Sequence, residues 1–183
     1  MKMHGFKVLI CAITFVFGFP VYSIASTPDS IQEMRLLLEK DISLEEKANY
    51  AEKLAKHYWY FQPDSALFYS RIALNLPLED VSAKTRGIVY FTHGFTHTMH
   101  GNPDSVVFYL NKAINVFREH NFEFLEFRVT EQLGNIYREL GRYSEAEIEL
   151  LKAEQFFKST GNAYQINSVL LNKGSLFYDQ NRY

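Results

Sequence analysis

The stretch HGFTHTMH places His93, His97 and His100 at i, i+4 and i+7, on one face of a helix. Neutral imidazoles one turn apart can share a metal ion. The carboxylate that a hydrolytic zinc helix carries directly after its first histidine is missing, because Gly94 stands there. Steps along the chain equal to the interval from Pro63 to Pro103 put His97 in register with His57, Tyr137 and Phe177, and His93 with Leu133. Rings and aliphatics in those columns suit packing. The three histidines are weak candidates for a metal site. The default is that they are packed or hydrogen-bonded, and no metal or other cofactor is expected.

Other chemistry is thinly supplied. Cys11 is the single cysteine. There is no glycine-rich phosphate loop, no G-x-S-x-G elbow and no pair of acids in a recognisable frame. The expectation is a protein that is not an enzyme. The net charge of −2 offers no footprint for nucleic acid. With 47% apolar and 22% charged residues the chain is globular, and 5 Pro and 9 Gly argue against a loop-rich scaffold. The length fits one domain with a real core.

The elements that would position any site come from a repeat. PDSALFYSRIAL (63–74) returns as PDSVVFYLNKAI (103–114), with six of twelve positions identical, and again as YSEAEIELLKAE (143–154). The segments between them repeat too: LGNIYRELGRY (133–143) aligns with KGSLFYDQNRY (173–183) at the same offset of 40. Apolar residues recur at i, i+3, i+4 and no stretch alternates with period two, so the spacing predicts helices and no sheet. Helices are expected near 29–40, 44–61, 64–76, 81–99, 104–119, 122–140, 144–159 and 163–181. Asp29, Ser43, Asp64, Asp104 and Ser144 are the expected N-caps, Ser43 with Glu46 and Ser144 with Glu147 at capping-box spacing. The repeats span about 44–80, 81–120 and 121–160, with a partial one at 161–183.

The segment LGNIYRELGRYSEAEIELLKAEQFF (133–157) resembles a tetratricopeptide (TPR) repeat. The likeness rests on the apolar–Gly–x–x–Tyr run, the glycine before the turn, and two alanines seven positions apart. It covers about 44–183 and is weakest in the first repeat, where Leu54 replaces the small residue. The period of 40 exceeds the usual 34 or so and resembles the longer-helix variety of bacterial regulators. Period alone also admits a HEAT-type array. The resemblance implies an all-α, right-handed solenoid of antiparallel helix pairs. Gly94 and Gly134 would let paired helices approach closely, Tyr137 would wedge between helices, and Gly141 would end a helix in the left-handed conformation.

Such a stack implies an inner surface lined by the first helix of each pair. Helical phase assigns to it Ala51, Ala55, Tyr58 and Trp59, then Phe91, Phe95, Thr98 and Met99, then Arg128, Glu131, Asn135 and Arg138. That mixture suits an extended peptide or a partner helix. Glu131 stands where gripping a terminal carboxylate would want a cation. The competing reading makes Trp59, Phe91 and Phe95 plain core. NFEFLEF (121–127) spreads its rings over more than one face and is assigned to an inter-repeat contact, with no function attached.

Residues 1–25 belong to another class. Lys2 and Lys7 precede the uncharged run 8–18, and Ser23 to Ala25 offers small residues for cleavage. That layout is a secretory signal, with an uncleaved membrane anchor as the alternative. Cys11, inside the apolar run, is a poor lipid-attachment site. Cleavage after Ala25 would leave a charge of (19 − 2) − 21 = −4 and no cysteine. The expectation is an exported, periplasmic or envelope-associated protein that binds a protein or peptide. The resemblance implies the sensory part of a longer membrane-bound regulator, and a free-standing envelope adaptor or a histidine metal module are the alternatives. At the other end Leu170, Leu176 and Phe177 follow the inward phase of earlier repeats, so self-association through the last helix is also expected if the chain is not a fragment of a longer repeat protein.

Overall fold

A computed structural model describes residues 30–181. The expected signal segment and Asp29 lie outside them. Among the described residues there are eight α-helices and no strand: α1 (Ile31–Leu38), α2 (Leu44–Tyr58), α3 (Pro63–Leu74), α4 (Ala83–Thr96), α5 (Pro103–Glu119), α6 (Glu123–Glu139), α7 (Tyr143–Ser159) and α8 (Ala163–Asp179). Each packs on its neighbours in sequence, and α2 also reaches α4 as α6 reaches α8. This all-helical succession is compatible with a helical repeat. No helix among the described residues is long and apolar enough to cross a membrane.

Local chemistry explains most of the boundaries. The Ser43–Glu46 capping box opens α2, with both reciprocal bonds made. The other expected caps are corrected. Asp64, Asp104 and Ser144 lie inside the first turns of α3, α5 and α7, whose N-cap positions are Gln62, Asn102 and Arg142. Pro63 and Pro103 account for two of these shifts. Proline has no N–H to lose at the first helical position, so the helix starts on it rather than after it. Ser144 is the second residue of α7 and so is not its cap; Arg142, at the cap position, pairs with Glu145 at 2.8 Å. The helix α1 is capped by Ser30. Expected helices over 44–61 and 81–99 end earlier, at Tyr58 and Thr96, ahead of turns that feed the two prolines.

The turns reveal a half-period. Gly101, Asn121, Gly141, Gly161 and Asn181 all have positive φ, between 54° and 70°, and each follows the last by half a repeat. At Gly141 the backbone N–H donates to Arg138 O at 3.0 Å and that of Arg142 to Tyr137 O at 2.8 Å, the paired bonds of a Schellman end. Glycine or asparagine is used because left-handed backbone strains other side chains.

The core is a row of connected clusters. Val106, Leu110, Ala113 and Phe117 of α5 pack with Val129, Leu133 and Ile136 of α6. Ala146, Leu150, Ala153 and Phe157 of α7 pack with Val169 and Leu176 of α8. Tyr137 touches both clusters, as the wedge position requires. The small signature residues act as expected. A Cβ on Gly94 would lie 2.8 Å from Tyr109 Cβ and 2.9 Å from Leu110 Cδ1, and one on Gly134 would lie 2.8 Å from Leu150 Cγ.

Candidate functional site between the fourth and sixth helices

Helices α2, α4, α6 and α8 follow one another at the repeat offset, and two of the three seams between them are tied by polar side chains. Between α2 and α4, Thr92 donates to Glu52 at 3.0 Å, and Glu45 accepts from the Ser82 N–H at 2.8 Å and from Thr85 Oγ1. Between α6 and α8, Glu131 accepts from Ser168 Oγ at 2.5 Å and Asn172 Nδ2 at 2.8 Å, while Arg138 donates to Asp179 at 2.6 Å. No side-chain hydrogen bond or ion pair joins α4 to α6 among the described residues. The repeat explains why. Phe91 and Phe95 stand in the columns of Glu131 and Asn135, and a phenyl ring has no acceptor for Arg128 and Gln132, the counterparts of Ser168 and Asn172.

A cleft of about 460 Å³ lies at this untied seam. Phe91, Phe95, Ile88 and Leu125 supply apolar walls, Trp59 one end, and Arg128 and Gln132 the polar rim. Trp59 meets Phe95 at 4.7 Å and Phe91 at 6.3 Å between ring centroids. Its Nε1–H is buried without an acceptor. A buried N–H without a partner costs free energy.

Of the residues assigned to the inner surface, Trp59, Phe91, Phe95 and Arg128 do come together here. The others go elsewhere. Ala51 and Ala55 are fully buried core. Tyr58 turns away and stacks on Tyr69 at 5.7 Å, against Met34 and Leu54. Met99 is exposed and is not part of the cleft wall. Thr98 sits beside His97 in a separate small cleft facing Ile136 and Leu140. Glu131 is only 1% exposed, spent on α8. Burial raises its carboxyl above the ordinary value, with Ser168, Arg128 and Asn172 pulling the other way. Asn135 and Arg138 lie on the same face, and Asn135 Oδ1 and Arg138 Nε are buried without partners. Phe124, Leu125, Lys56, Ile88 and Gln132 belong to the cleft and were missed. The signal for two of them was in NFEFLEF, where rings on more than one face leave one set for packing and another for the cleft. Phe127 takes the first role, stacked on Phe156 at 4.3 Å.

The histidines form a packed polar thread. His93, 4% exposed, has Nδ1 3.0 Å from Ser70 Oγ and Nε2 3.3 Å from His97 Nε2. Ser70 Oγ also lies 3.0 Å from Leu67 O. One consistent assignment has Ser70 donating to Leu67 O, His93 Nδ1–H to Ser70, and His97 Nε2–H to His93 Nε2. His100 points away, 3.3 Å from Pro63 O. The three therefore do not converge, and no group of three His, Cys, Asp or Glu able to hold a metal occurs among the described residues. Burial, then His97 and Arg71, lower His93 to about 4. Burial, His100 and Arg71 also lower His97.

Comparison with protein-family models, curated proteins and solved structures gives no match.

Proposed function

We propose that this chain is a non-enzymatic protein-interaction module of TPR-type repeats, wound right-handed, that binds a peptide segment in the cleft between α4 and α6. The observation that carries the proposal is the untied seam. Its neighbours are closed by side-chain hydrogen bonds, and this one presents aromatic walls and an exposed arginine. The fitting ligand offers one apolar or aromatic side chain to Phe91, Phe95 and Leu125. Beside it, a backbone carbonyl or carboxylate accepts from Arg128. The charged-then-apolar start supports an exported setting, as the sensory part of a regulator or as an envelope adaptor.

Site-specific crosslinking tests it. A photoactivatable group on Gln132→Cys, with Cys11→Ser, is expected to capture a discrete partner from envelope extract. Adding Phe95→Glu should abolish capture with little change in helical content. Equal capture by both proteins removes the cleft from the reading.

A further inference from the structure

Charge is unevenly placed around the α4–α6 cleft, in a chain whose net charge is −2. Lys56 of α2 and Arg128 of α6 both line the cleft and both are exposed, and no Asp or Glu is among its lining residues. The helix between them, α4, contains no acid. Two carboxylates of the flanking helices are buried and engaged elsewhere. Glu52 of α2 accepts from Thr92 and pairs with Lys56. Glu131 of α6 accepts from Ser168 and Asn172 of α8. The adjoining hollow beyond Phe124 and Leu125 carries one charge of each sign, Lys84 and Glu123, so the cationic bias belongs to the cleft alone. A ligand entering the cleft therefore meets exposed cations and no exposed carboxylate.

We infer that the cleft selects an acidic segment of a partner protein, with one aromatic or large apolar side chain seated against Phe91 and Phe95 and an Asp or Glu about two or three residues away on each side. The inference rests on the peptide-binding role proposed for the cleft and adds the partner's chemistry. The order of the helices sets the pattern. Phe91 and Phe95 stand on α4, Lys56 on α2 before it and Arg128 on α6 after it. Packed helices lie roughly 8–10 Å apart, and two to three residues of extended chain cover about 7–10 Å. An extended segment crossing the three helices thus brings the side chains that flank its anchor to the two cations. Arg128 makes no hydrogen bond or ion pair among the described residues, although its charge reaches the buried Glu131. Its guanidinium is free to hold a carboxylate with two N–H donors. Lys56 already pairs with Glu52, so an incoming acid there shares an ammonium, and the Arg128 side carries the larger discrimination. Burial of the anchor supplies affinity, and the flanking acids supply choice of partner.

Short random peptides displayed on phage and panned against the full chain test the inference, with the Phe95→Glu protein panned in parallel. Peptides enriched on the wild type alone are expected to share an aromatic or large apolar residue flanked on both sides by Asp or Glu. In fluorescence anisotropy, Arg128→Gln should weaken the best of them about tenfold, and Lys56→Gln about threefold. Replacing the peptide acid that meets Arg128 by its amide should cost as much as Arg128→Gln, with little further loss when the two changes are combined. Arg128 is exposed, so its replacement keeps the test valid even where Phe95→Glu lowers helical content. Peptides that depend on Phe95 but carry no acid, or that bind Arg128→Gln as tightly as wild type, would overturn the inference and leave a peptide-binding cleft standing. Enrichment that ignores Phe95→Glu, or no enrichment, would remove the cleft and the inference together. A wild-type dimer in sedimentation that Phe95→Glu dissociates would assign the cleft to a second copy and overturn the inference as well.

Discussion

Helices α4 and α6 are the same helix written twice, one repeat apart, with their chemistry exchanged. On the face toward the next first-helix, α4 carries Phe91 and Phe95 where α6 carries Glu131 and Asn135. On the face toward its own pair, α4 carries His93 and His97 where α6 carries Leu133 and Tyr137. The backbone positions are equivalent, since Gly94 and Gly134 each receive a leucine from the partner helix. Repeat architecture therefore fixes where a side chain points and leaves open what it does there. In α6 the outward acid ties the seam to α8. In α4 the outward rings leave a cleft, and polarity has moved inward to a histidine thread.

The inward exchange predicts the largest effect. His93 titrates at about 4 when folded against an ordinary 6.5, so the unfolded chain takes up its proton first as pH falls. The contribution of His93 is complete above pH 6.5 and is lost on descending toward 4. That amounts to about 3 kcal/mol from this group. His93→Leu, which copies Leu133, should reduce the slope in denaturant melts between about pH 7 and 4.5, leaving the part that His97 contributes. What remains at lower pH belongs to carboxylates such as Glu154, lowered by Lys158 and Lys173. An unaltered slope in the variant would mean that the thread does not titrate with folding.

The outward exchange comes next. Glu131→Phe makes α6 resemble α4 and leaves Ser168 Oγ and Asn172 Nδ2 without their acceptor. A loss of about 2 kcal/mol is expected by urea denaturation. Wild-type stability would show that the polar tie does not hold the seam.

The smallest effects fall on one column. Arg128 and Ser168 occupy the same position in successive repeats, yet Ser168 is bonded across its seam and Arg128 is not. Ser168→Ala should cost about 1 kcal/mol. Arg128→Ala should stay within about 0.5 kcal/mol, its effect appearing instead as reduced crosslinking from position 132. Equal costs would mean the two seams do not differ as described.

The helices, their order and the close approaches at Gly94 and Gly134 were legible in the sequence, because helical period and a repeated small residue report on local backbone and on one neighbour. The left-handed column was legible only at Gly141, since asparagine at 121 and 181 conceals the half-period rhythm in a different residue type. The N-caps were misplaced by two positions where proline at the start of the helix competes with Asp64 and Asp104. Phase assigned Trp59, Phe91, Phe95 and Arg128 to one surface, and these four line one cleft. Tyr58 and Glu131 were assigned to the same surface and proved to be turned into other contacts.

Sequence by itself determined the all-helical character of the described residues and a sequence period of 40, because hydrophobic period, turn glycines and small–large complementarity act over one turn or one helix pair. Tertiary structure decided which outward columns close. Whether Glu131 meets solvent or meets Ser168 and Asn172, and whether Phe91 meets an acceptor or a cleft, depends on the helix one repeat later. A residue 37 to 41 positions away supplies or withholds the partner, and hydrogen bonding acts only at contact distance. The same holds for Gly174: its type repeats that of Gly94 and Gly134, yet among the described residues a Cβ placed on it meets nothing within 4 Å.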